Sequence, residues 1–391
     1  MKFVLSRWAG RIVLRESASI EKGAVLNREN PGFLLPRGRR SDSRGWCYLR
    51  SAFLILFAAS AGLGFAQEST PTPKSPVDQA ETLLNEGKPR DALSLLTQLS
   101  EKDPTAPGLE GKLGKAYFQL RQFSEATPHL KDALQQNAAD LESTQLLALS
   151  FYSAGNFREA LPLLEKLGPR LPKNIPDAPY VISICYVMVG QLESARKALA
   201  QMFYVPPDSG MAYLMLAKLM VSQQMVEAAE SQIETALRLE PRLTMAHFLL
   251  GEIDLYQSNP QSAIAEFQKE LVVNPTVWLV YWRLGDAYMR LAKYDDAETV
   301  LKKAVWLNEA SPGAFVLLGE IALKKNDPAL ASGFLERALA IDPQNIDAHY
   351  ALATAYKVLG RETEANQHSE ISKKLRNENH DSQKDRLLLA P

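Results

Sequence analysis

Residues 282–304, WRLGDAYMRLAKYDDAETVLKKA, place apolar and polar positions in a pattern that predicts two helices joined by a short turn. Small residues stand at Gly285, Ala287, Ala297 and Ala304, where a helical core would ordinarily take bulk. Small side chains at fixed positions allow the axes of two helices to approach closely. The segment therefore predicts a tightly packed helical pair.

The pattern of this segment recurs along the chain in phase. An alanine returns every 34 residues, except for one 35-residue step, at Ala92, Ala126, Ala160, Ala195, Ala229, Ala263, Ala297, Ala331 and Ala365. Twelve residues earlier stands a second small position, at Ala80, Gly114, Ala148, Ser183, Ala217, Gly251, Gly285, Gly319 and Ala353. Four residues after the alanine stands a bulky apolar side chain, such as Leu96, Leu130, Ile233, Phe267, Leu301 or Leu335. A fixed period of this length predicts a repeat architecture.

Two further positions complete the 34-residue unit. An aromatic residue often follows the small position by three, as at Tyr117, Phe151, Tyr186, Tyr288 and Tyr356, and proline closes most units. As a set, these positions resemble the tetratricopeptide repeat, over about residues 73–379 in nine units. The resemblance implies an all-α fold, an α-solenoid of stacked helix-turn-helix repeats that forms a right-handed superhelix. Each unit would hold a helix A, around the small position, and a helix B, around the alanine.

The turns and ends of the units fit this interpretation. Asn259-Pro260 and Asp327-Pro328 put a capping residue before a proline at the first position of helix B. One unit alone buries too little apolar surface to fold, so we expect stability to come from stacked neighbours. Residues 380–391 are expected to form a polar tail.

The N-terminal region has a different composition. Residues 1–50 form a basic extension, and residues 51–66, SAFLILFAASAGLGFA, form an uncharged run that suits a signal-peptide core, with cleavage expected after Ala66. The alternative is an uncleaved membrane anchor, and either would export the body. Residues 67–78 form a Pro/Ser/Thr-containing linker. The basic extension is long for a signal peptide, so a translation start nearer Val25 or Leu34 is a further hypothesis.

Charge narrows the class of partner. Residues 1–66 hold 11 Lys+Arg and 4 Asp+Glu, which leaves 33 basic and 41 acidic residues in the body. A net acidic body argues against nucleic acid as the ligand.

The sequence also lacks the signatures of catalysis. It has no His-Glu-x-x-His, Gly-x-Ser-x-Gly, phosphate-loop or Cys-x-x-Cys motif, and its five histidines are scattered. His247 and His349 occupy equivalent repeat positions, which favours packing over metal binding. Cys185 is interpreted as a small buried hydrophobic residue with an unreactive thiol. We therefore predict a protein without enzymatic activity, cofactor or metal.

The resemblance also implies a binding surface, because helices A line the concave face of tetratricopeptide arrays. Carried over to this chain, the groove residues are Met211, Leu214, Lys218, Met245, Phe248, Glu252, Tyr256, Trp282, Asp286, Met289, Arg290, Glu320 and Lys324. They describe an apolar, Met-rich groove with an acidic row, Glu252, Asp286 and Glu320. The alternative is that the i,i+4 charges only stabilise helices and that Met and Phe belong to the core.

These observations predict an exported, monomeric scaffold that binds a protein or peptide in its groove, for assembly or regulation of an envelope or secreted complex. The rival interpretation is a subunit, catalytic or not, that acts on an envelope polymer and uses the groove as a track for its substrate. A convergent acid/base or metal cluster would favour the rival, and the sequence shows none.

Overall fold

The structure is a computed structural model that describes residues 75–168 and 178–388. The basic extension, the apolar run and all of the linker before Ser75 lie outside these residues, so their predicted roles remain predictions. None of the helices in the described part of the chain is long and apolar enough to cross a membrane.

The residues that the structure describes form eighteen helices and no strand, and consecutive helices pack as nine pairs, numbered here as repeats 1 to 9. The A helices are α1 (Pro76–Asn85), α3 (Leu109–Gln119), α5 (Leu141–Ser153), α7 (Ala178–Met188), α9 (Gly210–Ser222), α11 (Ala246–Tyr256), α13 (Trp278–Arg290), α15 (Pro312–Lys324) and α17 (Ile346–Val358). The B helices are α2 (Pro89–Lys102), α4 (Phe123–Gln136), α6 (Phe157–Leu167), α8 (Leu192–Met202), α10 (Val226–Leu239), α12 (Pro260–Val273), α14 (Tyr294–Leu307), α16 (Pro328–Ile341) and α18 (Glu362–Leu388). The predicted all-α solenoid is confirmed.

The repeat register predicted from the small residues is also confirmed. All nine recurring alanines are buried, and the bulky residue four positions later is buried in repeats 1 to 8. A Cβ atom built on Gly285 would lie 2.5 Å from Cγ of Leu301, and one on Gly319 would lie 2.5 Å from Cγ of Leu335. In these two repeats helix B therefore packs its bulky side chain directly onto the backbone of helix A, and the space beneath it is filled without a Cβ atom.

The helix starts follow the predicted turn chemistry in part. Pro89, Pro260 and Pro328 begin α2, α12 and α16, where a missing backbone N–H costs nothing. The Asp327 carboxylate accepts a hydrogen bond from the backbone N of Leu330 at 3.0 Å, as expected of a capping residue. Asn259 occupies the same position but its side chain makes no capping hydrogen bond.

The A helices form a continuous layer over most of the array. Contacts join α1 to α3, α3 to α5, and each of α9, α11, α13 and α15 to the next A helix. Within the described residues, no contact of that extent joins α7 to α5 or to α9. The interruption coincides with the 35-residue step between Ala160 and Ala195, so the extra residue accompanies a local change in the stacking.

The array ends in a helix longer than the sequence pattern suggested. Helix α18 extends through Leu388 and so continues into the residues that the sequence predicts as a polar tail. Its second half is strongly polar, and Ser372 is buried with its hydroxyl donating to the carbonyl of Ile346 at 3.3 Å.

Candidate protein-binding face

The thirteen predicted groove residues lie on or beside the A helices of repeats 5 to 8, and their shared surface is called the A-helix face below. Two of them are core residues, since Leu214 is 7% and Phe248 is 6% exposed. This burial agrees with the alternative that the sequence left open for apolar residues. Met211, Met245 and Met289 are half-buried, and Tyr256 is 49% exposed. The accessible part of the face is therefore less apolar than the sequence suggested.

Trp282 is half-buried and packs against the next repeat. A Cβ atom on Gly313 would lie 2.9 Å from the Trp282 ring, so the start of α15 rests directly on the indole. The Arg283 guanidinium lies 5.2 Å from the ring centroid, and the Trp278 ring centroid is 6.3 Å away. Trp282 thus has a structural function, joining repeats 7 and 8, and offers only part of its ring to a ligand.

Arg283, which the sequence analysis did not select, neutralises two of the three carboxylates of the acidic row, Glu252 and Asp286. Arg283 donates to both oxygens of Glu252, at 2.5 and 2.8 Å, and its Nη1 lies 3.4 Å from Oδ2 of Asp286. Asp286 also pairs with Arg290 at 3.2 Å. We call Glu252, Arg283, Asp286 and Arg290 the central ion-pair network. It carries no net charge.

Arg283 is the central residue of this network, and its side chain is only 15% exposed. Burial lowers its pKa, but the charges of Glu252 and Asp286 outweigh that effect and raise the pKa above its ordinary value. A two-pronged contact from a guanidinium to a carboxylate is stronger and more specific than a single contact. The signal in the sequence was a lone arginine two residues before a small position, where repeats 3 to 6 and 8 carry apolar residues.

The third member of the acidic row, Glu320, has a different environment. It is half-buried, and none of the described cations forms an ion pair with it. Burial raises the pKa of the Glu320 carboxyl, the nearby Asp347 and Asp286 raise it further, and Lys324 offsets this only in part. Lys324 itself is exposed. Repeat 8 therefore presents an uncompensated acidic site on the A-helix face.

Lys218, at the other end of the A-helix face, is a half-buried charge of the opposite sign. It occupies in repeat 5 the position that Glu252, Asp286 and Glu320 occupy in repeats 6 to 8. Burial lowers its pKa from 10.5 to about 8, and no carboxylate in the described part of the chain pairs with it. The residue at the equivalent position of the next repeat, Glu252, binds Arg283 through both of its oxygens. The ammonium group is thus left half-buried and uncompensated.

A second network lies on the A helices of repeats 1 to 3. Lys115 contacts Glu81 at 2.9 Å and Glu142 at 2.7 Å, while Lys112 pairs with the same two carboxylates. We call Glu81, Lys112, Lys115 and Glu142 the N-terminal ion-pair network. Its charges satisfy one another, so the network leaves no unpaired lysine for the carboxylate of a peptide terminus.

The described residues show no convergent catalytic chemistry. No group of three His, Cys, Asp or Glu side chains in this part of the chain could hold a metal ion. His247 contacts Glu266 at 2.7 Å and His349 contacts His368 at 2.8 Å, each joining helix A to helix B of one repeat. Cys185 is fully buried, and burial raises the pKa of its thiol to about 11, which keeps it protonated.

Comparison with known families identifies the repeat. Family models described as tetratricopeptide repeat match residues 83–149, 214–277, 248–315, 282–346 and 334–367. A model described as anaphase-promoting complex, cyclosome, subunit 3, matches residues 119–202. Tetratricopeptide-repeat models thus match on both sides of the interruption at α7, and the array is built of these repeats.

Several solved structures are similar to parts of this chain. MamA from Desulfovibrio magneticus RS-1 is 20% identical, with 44% of this chain and 97% of that chain covered and a TM-score of 0.41. YrrB, described as a tetratricopeptide-repeat protein with an unusual peptide-binding site, is 19% identical over 47% and 94%, at 0.40. The pilF protein of Pseudomonas aeruginosa is 19% identical over 51% and 90%, at 0.43. These similarities assign no ligand to this chain.

Proposed function

We propose that this protein is a non-catalytic scaffold that binds a protein or peptide partner on the A-helix face of repeats 5 to 8. The observation that carries the proposal is the combination on that face of an exposed aromatic ring, Tyr256, with half-buried methionines and charges that no neighbour satisfies. Aromatic rings and methionines give large contact areas, and uncompensated charges give specificity. The relative described as having a peptide-binding site supports the class of ligand.

The face is also held in shape before any partner arrives. Arg283 ties α13 to α11 through Glu252, and Trp282 ties α13 to α15 through Gly313. A surface fixed in advance loses less conformational entropy on binding, which raises affinity for a given contact area. This favours a recognition surface over a merely solvated side of the array.

We further propose that the scaffold is exported and monomeric and works in an envelope or secreted complex. The basic extension followed by the uncharged run 51–66 supports export. N-terminal sequencing of the chain recovered from its native host would test this. We expect a mature terminus at Gln67, whereas a terminus before residue 51 in a soluble fraction would contradict cleavage and export together.

The binding proposal is tested by site-specific photo-crosslinking in the native host. A photoreactive phenylalanine analogue at Tyr256 reports on the A-helix face, and the same analogue at Val272, which is 82% exposed on helix α12, is the matched control. We expect a discrete protein adduct from position 256 and none from 272. Adducts from 272 alone would place the partner on the B helices. A glycan adduct at 256 would instead support the rival polymer-binding function.

A further inference from the structure

The charges at one repeat position fall into two groups. The position directly after the small residue carries a charge in repeats 1, 2, 5, 6, 7 and 8, at Glu81, Lys115, Lys218, Glu252, Asp286 and Glu320. In repeats 1, 2 and 6 that charge is paired across neighbouring A helices, and in repeat 7 Asp286 is paired with Arg283 and Arg290 of its own helix. In repeats 5 and 8, within the described structure, it forms no ion pair. The uncompensated charges therefore stand at the two ends of the A-helix face.

These two ends have opposite sign and a neutral region between them. Lys218 is uncompensated at the repeat 5 end, and Glu320 stands with Asp347 nearby at the repeat 8 end. Between them the central ion-pair network contributes two acids and two bases, so it gives the face no net charge. The face thus runs from positive to negative along the array.

A half-buried charge without a partner is a stability cost that a ligand can remove. Water solvates such a group poorly, so an opposite charge from a ligand gains more there than at an exposed site. Of the described charges on this face, Lys218 and Glu320 meet this condition, while Arg290 and Lys324 are exposed and remain hydrated. The binding energy of a charged ligand should therefore concentrate at the two ends.

We infer that the partner of the A-helix face is an extended peptide segment with an acidic group bound at Lys218 and a basic side chain bound at Glu320. This rests on the proposed function of the face. Packed helices lie about 8 to 10 Å apart, so three repeat steps span roughly 24 to 30 Å. An extended chain rises about 3.3 Å per residue, which places the two charged groups roughly seven to nine residues apart. Exposed Tyr256 lies between the ends and favours an apolar residue in the middle.

A random 15-residue peptide library displayed on phage tests the inference directly. Selection on the full chain is expected to enrich peptides that pair an acidic and a basic residue at that separation, at least several-fold over the unselected library. An acidic side chain is distinguished from a terminal carboxylate by displaying the library with free and with blocked C-termini.

The decisive comparison repeats the selection on variants in which one of the two end charges is reversed. For Lys218→Glu, both ends are acidic, so the selected acidic residue should be replaced by a second basic one. For Glu320→Lys, two acidic residues are expected. Lys166→Glu, at an exposed lysine on helix α6 of repeat 3, is the matched control and should leave the selected pattern unchanged. Lys218→Met and Glu320→Gln remove each charge without reversing it and should abolish enrichment at one end only.

The outcomes separate this inference from the function beneath it. Peptides that bind, compete at Tyr256 and lack the charge pair would overturn the inference and leave the binding function standing. Enrichment that survives both reversals would overturn it equally. If no peptide is selected by the folded chain, but the crosslink from position 256 captures a protein, the partner presents a folded surface and the extended-peptide inference is wrong.

Discussion

The N-terminal and the central ion-pair networks both neutralise carboxylates on adjacent A helices, but with different cations. Each joins A helices of successive repeats and carries two acids and two bases, but the N-terminal network uses Lys112 and Lys115 where the central network relies on Arg283. Each lysine makes only one contact to each of its two carboxylates, and the Glu142 side chain is 49% exposed. Arg283 donates hydrogen bonds to both oxygens of Glu252, and both side chains are largely buried. The central network is therefore the more rigid and the less screened of the two.

The difference between the two networks supports the proposed position of the binding face. Every charge of the N-terminal ion-pair network is paired within the network, so no unpaired charge remains there for a binding partner. In the central ion-pair network Arg283 binds both oxygens of Glu252, while Lys218, one repeat away, has no ion-pair partner in the described part of the chain.

The largest expected effect comes from breaking the central network. Arg283→Leu would leave Glu252 half-buried without its cation, and we expect a loss of about 2 to 3 kcal/mol in unfolding free energy, somewhat less than for a fully buried pair. Urea unfolding followed by circular dichroism measures this. Arg290→Leu removes an exposed partner of Asp286 and should cost under about 1 kcal/mol. Equal losses from the two variants would contradict the role assigned to Arg283.

The second prediction tests the helix contact beneath both networks. Gly285→Ala would force Leu301 to move, because the new Cβ would lie 2.5 Å from its Cγ, and should destabilise by about 1 to 3 kcal/mol. Gly333→Ala is the matched control, since nothing lies within 4 Å of its added Cβ in helix α16. The control should stabilise by roughly 0.5 to 1 kcal/mol. Melting curves that shift in the same direction for both would refute the register.

The third prediction concerns the N-terminal network. Lys112→Met leaves Lys115 in contact with both carboxylates, so the loss should stay below about 1 kcal/mol. Because this network is more exposed, the loss should shrink further as salt rises from about 0.05 to 1 M, where the Debye length falls to roughly 3 Å. The Arg283→Leu loss should persist across the same range. A salt-independent Lys112→Met effect would make the two networks alike.

The smallest effect should come from pH at the end of the array. Burial, and then His349, lower the pKa of His368 below its ordinary 6.5. The unfolded chain therefore binds the proton more readily, so stability present above about pH 6.5 is lost as the pH falls from there toward the lowered pKa.

Repeat 8 supplies the matched variant for this test, because Phe315 and Phe334 occupy the equivalent positions with ring centroids 6.5 Å apart. The double variant His349→Phe/His368→Phe should remove this contribution to the pH dependence in urea unfolding. An unchanged slope in the variant would assign the pH dependence to other groups.

The sequence alone determined the architecture, because the constraint is local and repeated. A glycine or alanine twelve residues before an alanine, with a bulky side chain four residues later, describes one helix contact, and nine copies in phase leave one fold class. The turn chemistry likewise placed helix starts at Pro260 and Pro328. It also placed the thirteen predicted groove residues on or beside the A helices of repeats 5 to 8.

Only the tertiary structure decided which charges on that face are free. Glu252, Asp286 and Glu320 are equivalent in the repeat, yet Arg283 neutralises the first two and not the third. Phe248 likewise looked like a surface anchor but is buried, since whether a helix position faces solvent depends on the neighbouring repeat. Pairing and burial are set between repeats 30 or so residues apart, and the pattern within a single repeat holds no information about them.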